Sequence, residues 1–215
     1  MKTLKIQGKG SVSVVPDICR YSVLVTSKGC DYPCTYNVLN IDVDNFRKRL
    51  VSAGICQEEI RTSDYSITAV TSYSRDEGKH IPDGYKGTHR LSVEISLDKQ
   101  RMDAVFKALA YGASDSSSES AISISFGVSN PETVRRQLLR NSVAVAKVNA
   151  DTIADAAGIT LGQIITIEYG WSEVRFYNET DYDASPCCGE ELCPPDIQPN
   201  DLNASDTVTV TYEIL

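Results

Sequence analysis

SNPETVRRQLLRNSVAVAKVNADTIADAAGITLGQIITIEY, residues 129–169, is the stretch on which the fold turns. Asn130 is a favoured N-cap type, Pro131 suits a first helical turn, and Gly158 can close a helix in the left-handed conformation. Between them Leu139, Val143, Ala146, Ala150, Ile153 and Ala157 recur at alternating spacings of four and three, which predicts a helix with one apolar stripe. The stripe is mostly small, so the helix can lie close to whatever it covers. Beyond Gly158, Ile159, Leu161, Ile164, Ile165 and Ile167 form a β-branched run that predicts a mostly buried strand. These residues make a packing unit and carry no chemistry.

Upstream, residues 3–15 and 18–27 alternate apolar and polar, with Pro16-Asp17 as a turn between two antiparallel strands. Tyr36, Leu39, Val43, Phe46, Leu50 and Ala53 step by three and four, predicting a helix that Asp31 caps and Gly54 ends. Residues 60–73 return to strand, with Tyr65, Ile67 and Ala69 on one side, and 74–83 read as a loop or hairpin tip. Leu91, Val93, Ile95 and Leu97 alternate with Ser92, Glu94 and Ser96, a strand with one solvated face. Asp98 caps a short helix carrying Met102, Val105, Phe106 and Leu109 that stops at Gly112. After a serine-rich turn, Ile122, Ile124 and Phe126 mark a strand. Thr207 to Leu215 makes the last one.

Ala53-Gly54-Ile55 and Ala157-Gly158-Ile159 each close a helix and lead into a strand, a weak internal repeat that chance matches as well as duplication does. The element order predicts an α+β fold: antiparallel β-sheet with helices packed on one face, in a loose duplication of a strand–helix–strand–strand unit.

The 215 residues are 41% hydrophobic and 23% charged, ordinary for a globular chain. The net charge of −8 is local: between Trp171 and Asp206 nine acids stand against Arg175 alone, and the rest of the chain holds 20 acids and 20 bases. Neither part offers the clustered lysine and arginine that nucleic acid would require, so a nucleic-acid partner is not expected. No run reaches the roughly 18–20 apolar residues of a membrane-spanning helix. Residues 1–8 lack the apolar core of a signal peptide and already alternate like a strand, so the expected localisation is cytoplasmic, with reduced thiols. The seven cysteines follow no disulfide framework.

Four patterns invite chemistry. Gly8-Lys9-Gly10-Ser11 lacks the upstream glycine of a phosphate loop and leads into a strand, so a bend or bulge is the better reading. Asp42-Val43-Asp44-Asn45 begins like a calcium loop but lacks its glycine and terminal glutamate, and reads as a solvated helix face. His80 and His89 are the only histidines and belong to no nucleophile elbow or zinc pattern; each reads as a surface or hydrogen-bonded residue. Cys187-Cys188-Gly189-Glu190-Glu191-Leu192-Cys193 could bind a soft metal or switch redox state, although acidic neighbours raise thiol pKa values and adjacent cysteines chelate one ion poorly. Cys30 and Cys34 read as packing residues. Catalytic, cofactor-binding and metal residues are therefore assigned to none of these positions.

Several separated features together resemble the SIMPL-domain family, whose bacterial members include YggE-like and periplasmic immunogenic proteins. They are Ile6, Gly8-Lys9-Gly10, Val12-Ser13-Val14-Val15-Pro16-Asp17, Gly54-Ile55, Ile60-Arg61-Thr62, Tyr65-Ser66-Ile67, Gly84-Tyr85, Gly112-Ala113 and Ile124-Ser125-Phe126. The alanine-bearing helix with Gly158, Leu161 and Gly162 follows, then Pro195-Asp196-Ile197-Gln198-Pro199 leading to Val208-Thr209-Val210-Thr211-Tyr212. The resemblance spans nearly the whole chain. It implies an α+β fold, frequent homo-oligomers, no known catalysis and no active-site residues to carry over. Most bacterial relatives are exported, while the eukaryotic relative is linked to signalling-kinase association. As read from residues 1–8, the chain is expected to depart from the family in lacking an export signal, and it departs in its acidic, cysteine-rich segment. The expectation is one SIMPL-like domain over 1–215, with an acidic Cys/Pro-rich insertion at about 171–206. It would be a non-enzymatic, oligomeric interaction or stress-related scaffold with a possible protein partner; the alternative is a metal- or small-molecule-binding module built on that insertion.

Overall fold

A computed structural model of the chain describes residues 2–74, 78–170, 182–184 and 198–215. The fold is α+β, with two antiparallel sheets and three α-helices among the described residues. The chain divides into two compact units, one formed by residues 1–16, 127–179 and 199–215, the other by 17–126 and 180–198.

The first unit is a three-stranded sheet in the order β1 (Thr3–Val14), β8 (Leu202–Ile214), β6 (Leu161–Tyr169), with α3 (Pro131–Ala157) laid over β1 and β8. The ends of α3 follow the expected chemistry. The Asn130 side chain accepts from the Thr133 amide at 3.2 Å, and Gly158 adopts φ 65°, where a Cβ would be strained.

The buried face of α3 is not the expected stripe. Val134, Leu138, Ser142, Ala146, Ala150 and Ala154 point inward, while Val143 and Ile153 are exposed. These inward residues form a single i, i+4 ridge, which runs at about 26° to a helix axis, so the helix meets the sheet along that ridge and not along a straight stripe. The contact is close enough that β1 needs glycine. A Cβ on Gly8 would overlap the Ser142 carbonyl and the Ala146 amide, and one on Gly10 would sit 2.5 Å from the Ser142 amide nitrogen. Gly8-Lys9-Gly10 is thus neither a phosphate loop nor a bulge: β1 pairs with β8 without a register shift from Thr3 to Val14. Ser142 enters this ladder. Its hydroxyl accepts from the Gly10 amide at 3.2 Å and reaches the carbonyls of Asp206 at 3.1 Å and Leu138 at 2.9 Å.

Two further expectations fail in this unit. β8 begins at Leu202, five residues before the predicted start, because Leu202 and Ala204 continue the buried alternation of Val208, Val210 and Tyr212. β6 is not buried: Ile164, Ile165 and Ile167 are all exposed, since it is an edge strand that α3 does not cover.

The second unit is a five-stranded sheet in the order β3 (Ile60–Ser74), β4 (Lys79–Ser96), β2 (Ile18–Gly29), β5 (Glu119–Gly127), β7 (Tyr182–Ala184). Helices α1 (Tyr32–Ser52) and α2 (Lys99–Asp115) complete it. Cys19, Tyr21, Val23 and Val25 alternate into its core and meet Leu91, Val93 and Ile95 of β4 and Leu39, Val43, Phe46 and Leu50 of α1. β1 and β2 do not pair with each other. Pro16 and Asp17 carry the chain from one sheet to the other.

Asp31 and Asp98 cap α1 and α2, their carboxylates accepting from the amides of Cys34 at 2.7 Å and Arg101 at 2.9 Å. Gly112 does not stop α2, which continues to Asp115. That glycine makes room: a Cβ there would lie 2.6 Å from the Phe46 ring. β4 likewise starts earlier than expected, at Lys79, because residues 79–85 extend the ladder with β3.

Candidate functional site

Among the described residues a buried polar cluster lies where α1 meets β3 and β4. His89 of β4 faces inward opposite Tyr65 of β3, whose ring meets it edge-on at 5.2 Å between centroids. It is 7% exposed, and its Nε2 lies 2.9 Å from Thr62 Oγ1, which also accepts from the Arg47 guanidinium at 3.2 Å. His89 Nδ1 and Arg47 Nε are buried without a hydrogen-bond partner.

The Thr62–His89 contact has the spacing of a nucleophile and its base. Two features work against that chemistry. Among the described residues Nδ1 has no acceptor to orient the ring, and the ring is a poor base because burial, then the Arg47 charge, push its pKa below 6.5 against the smaller opposing pull of Asp44 and Asp64.

At neutral pH His89 is therefore uncharged. The unfolded chain takes up a proton as pH falls through 6.5, whereas the folded chain does so only at lower pH. This contribution to stability is whole above 6.5 and declines as pH falls from there towards the lowered folded value. The urea midpoint is expected to fall between about pH 7.5 and about pH 5, with a shallower fall in His89→Phe. Parallel profiles for the two proteins would remove His89 from the account.

Tyrosines surround this cluster. Tyr32, Tyr36 and Tyr65 are exposed, Tyr32 packs edge-on to Tyr85 at 5.8 Å, and burial together with Tyr32 and Tyr36 raises the Tyr65 pKa. Exposed tyrosines of this kind are enriched at protein interfaces.

The other candidate surface is β6 in the first unit. Ile164 and Ile167 are ladder partners of Tyr212 and Val210 and share their side of the sheet. They are nevertheless 51% and 55% exposed, against 9% and 1% for those partners.

The positions singled out in the sequence do not converge. Gly8 and Gly10 serve helix packing. Asp42 is not on a solvated face: it is 3% exposed, with one carboxylate oxygen accepting from the Ser117 amide at 3.3 Å. Asp44 is exposed. His80 lies on β4 against Tyr73, at 5.4 Å between ring centroids. Cys30 and Cys34 are exposed and so are not packing residues, whereas Cys19 is buried, which pushes its thiol up to about 11. Cys187, Cys188 and Cys193 lie outside the described residues. The β6 surface was hidden in the sequence because its isoleucines look like core residues. Its one signal was the charge-free run Ile164-Ile165-Thr166-Ile167 ahead of Glu168.

The comparisons agree with the fold and name no reaction. The SIMPL family model, described as a protein of unknown function (DUF541), matches residues 4–212. A curated relative, the uncharacterized protein YggE of Edwardsiella ictaluri, is 23% identical over 209 residues, covering 96% of this chain and 84% of its own length. No helix among the described residues is long and apolar enough to cross a membrane.

Proposed function

This chain belongs to the SIMPL family, and from that premise we propose that it is a non-enzymatic interaction scaffold that works as a homo-oligomer. The observation that carries the reading is the exposed isoleucine run of β6: Ile164, Ile165 and Ile167 are each more than 40% exposed on one edge strand. Apolar edge strands of this kind are aggregation hazards unless a partner covers them. The His89 cluster supports the non-enzymatic half, since a neutral, poorly oriented imidazole beside a hydroxyl that also accepts from Arg47 is ill suited to general-base work. In sedimentation over a concentration series, the weight-average mass is expected to rise to at least twice the 23.5 kDa of the chain. A mass that stays at the monomer value throughout would overturn the proposal.

A further inference from the structure

Asp42 of α1 is the one acid buried among the described residues, and no ion pair among them reaches it. A buried carboxylate with neither a cation nor a full set of donors is costly. Its Oδ1 accepts from the Ser117 amide at 3.3 Å, but Oδ2 is buried with no hydrogen-bond partner. The hydroxyl of the next residue, Ser118, is also buried without a partner, so two orphaned oxygens sit at one turn and are not bonded to each other. Their surroundings hold that turn in place. Ser116 Oγ accepts from the Ser118 amide at 3.1 Å and donates to the Ser118 carbonyl at 3.2 Å. Farther along α1, the Phe46 ring fills the space at Gly112 of α2, and Arg49 is ion-paired with Asp115.

The turn follows the C-terminus of α2, the negative end of a helix dipole. The last turn of α2 holds no basic residue, and, unlike those of α1 and α3, its C-cap returns no main-chain amide to it. Helix-end carbonyls, the Asp42 carboxylate and the Ser118 hydroxyl thus bring oxygen alone, and negative charge alone, to one place. A water would meet the two orphaned oxygens but not the charge.

We propose that this turn binds a monovalent alkali cation, sodium or potassium, through Asp42 Oδ2, Ser118 Oγ and main-chain carbonyls at the end of α2. Oxygen-only donors select a hard cation, and one carboxylate balances one positive charge. No three His, Cys, Asp or Glu side chains among the described residues group as a metal site, so a transition metal lacks its usual donors here. Bound there, the cation ties the connection between α2 and β5 to the middle of α1. The proposal is independent of oligomerisation.

The test follows thermal unfolding of the full chain in sodium, potassium or tetramethylammonium chloride, all at an ionic strength of about 0.15 M. At least one alkali ion is expected to raise the midpoint by about 3 °C or more over tetramethylammonium, with a response that saturates. Asp42→Asn is expected to lose that shift and Ser118→Ala to lose about half of it or more, whereas Asp44→Asn, exposed on the same helix, keeps it. In crystals soaked with thallium(I), an alkali mimic, an anomalous peak is expected beside Asp42 Oδ2. Equal midpoints in the three salts overturn the proposal, as does a thallium map with no peak at Asp42. A shift that both variants retain places the ion elsewhere and also overturns it. If Asp42→Asn does not fold, Ser118→Ala and the thallium map decide.

Discussion

Alanine at Gly8 is expected to destabilise the three-stranded unit severely. The added Cβ would overlap the main chain of α3 at the Ser142 carbonyl and the Ala146 amide. No rotamer relieves a clash between two backbones, so either α3 lifts off β1 or β1 shifts along its twelve-rung pairing with β8. Lifting α3 uncovers Ala146, Ala150 and Val210 and breaks the hydrogen bonds through Ser142 between Gly10 and Asp206. The expected cost is at least about 3 kcal/mol, in the upper range for overpacking because the yielding atoms are main chain. Lys9→Ala, between the two glycines and facing outward, is expected to change stability by less than about 0.5 kcal/mol. Urea denaturation, with hydrogen exchange on β1 and α3, checks both. A Gly8→Ala protein as stable as wild type would mean that α3 does not sit where it is described.

Phe46→Ala is expected to cost about 3–5 kcal/mol. Phe46 is fully buried on α1, and its ring fills the space that Gly112 leaves open on α2. Truncation leaves a cavity whose far wall is a glycine, so no neighbouring side chain on that wall can swing in to fill it. The same geometry distinguishes this site from Tyr36, which shares the sequence periodicity of the stripe but is 45% exposed. Tyr36→Ala thus serves as the control, and equal losses for the two variants would contradict the described orientation of α1.

These contrasts mark how far the sequence could be read. The caps at Asp31, Asp98 and Asn130 and the left-handed Gly158 were all legible, because each acts on amides or backbone angles within a few residues of itself. The alternation of β2 was legible too, since its inward residues other than Ser27 are apolar and its outward residues mostly polar. The inward face of α3 was not, because Ser142 is as buried as any alanine beside it and its justification lies on β1, 132 residues away. Gly112 looked like a stop and acts as a gap for a ring. Asp42 and Cys34 exchanged their expected places, one buried and one exposed, for reasons set by neighbouring elements and not by their own residue types. The candidate site was the least legible part. His89 gained its meaning from Thr62 and Arg47, and β6 from the absence of cover over Ile164 and Ile167.

The sequence by itself determined the α+β class, the approximate place of nearly every helix and strand, and membership of the SIMPL family. It could do so because periodicity, capping and turn chemistry are local, and because many weakly specific positions in the right order become specific together. Only the tertiary structure decided that β1 and β2 belong to different sheets, that α3 meets β1 closely enough to require glycine, and that an isoleucine-rich strand stands at an edge. Each of these depends on which elements become neighbours. An isoleucine has the same side chain at an edge as in a core, and only what lies over it determines whether it stabilises this chain alone or is left for another to cover.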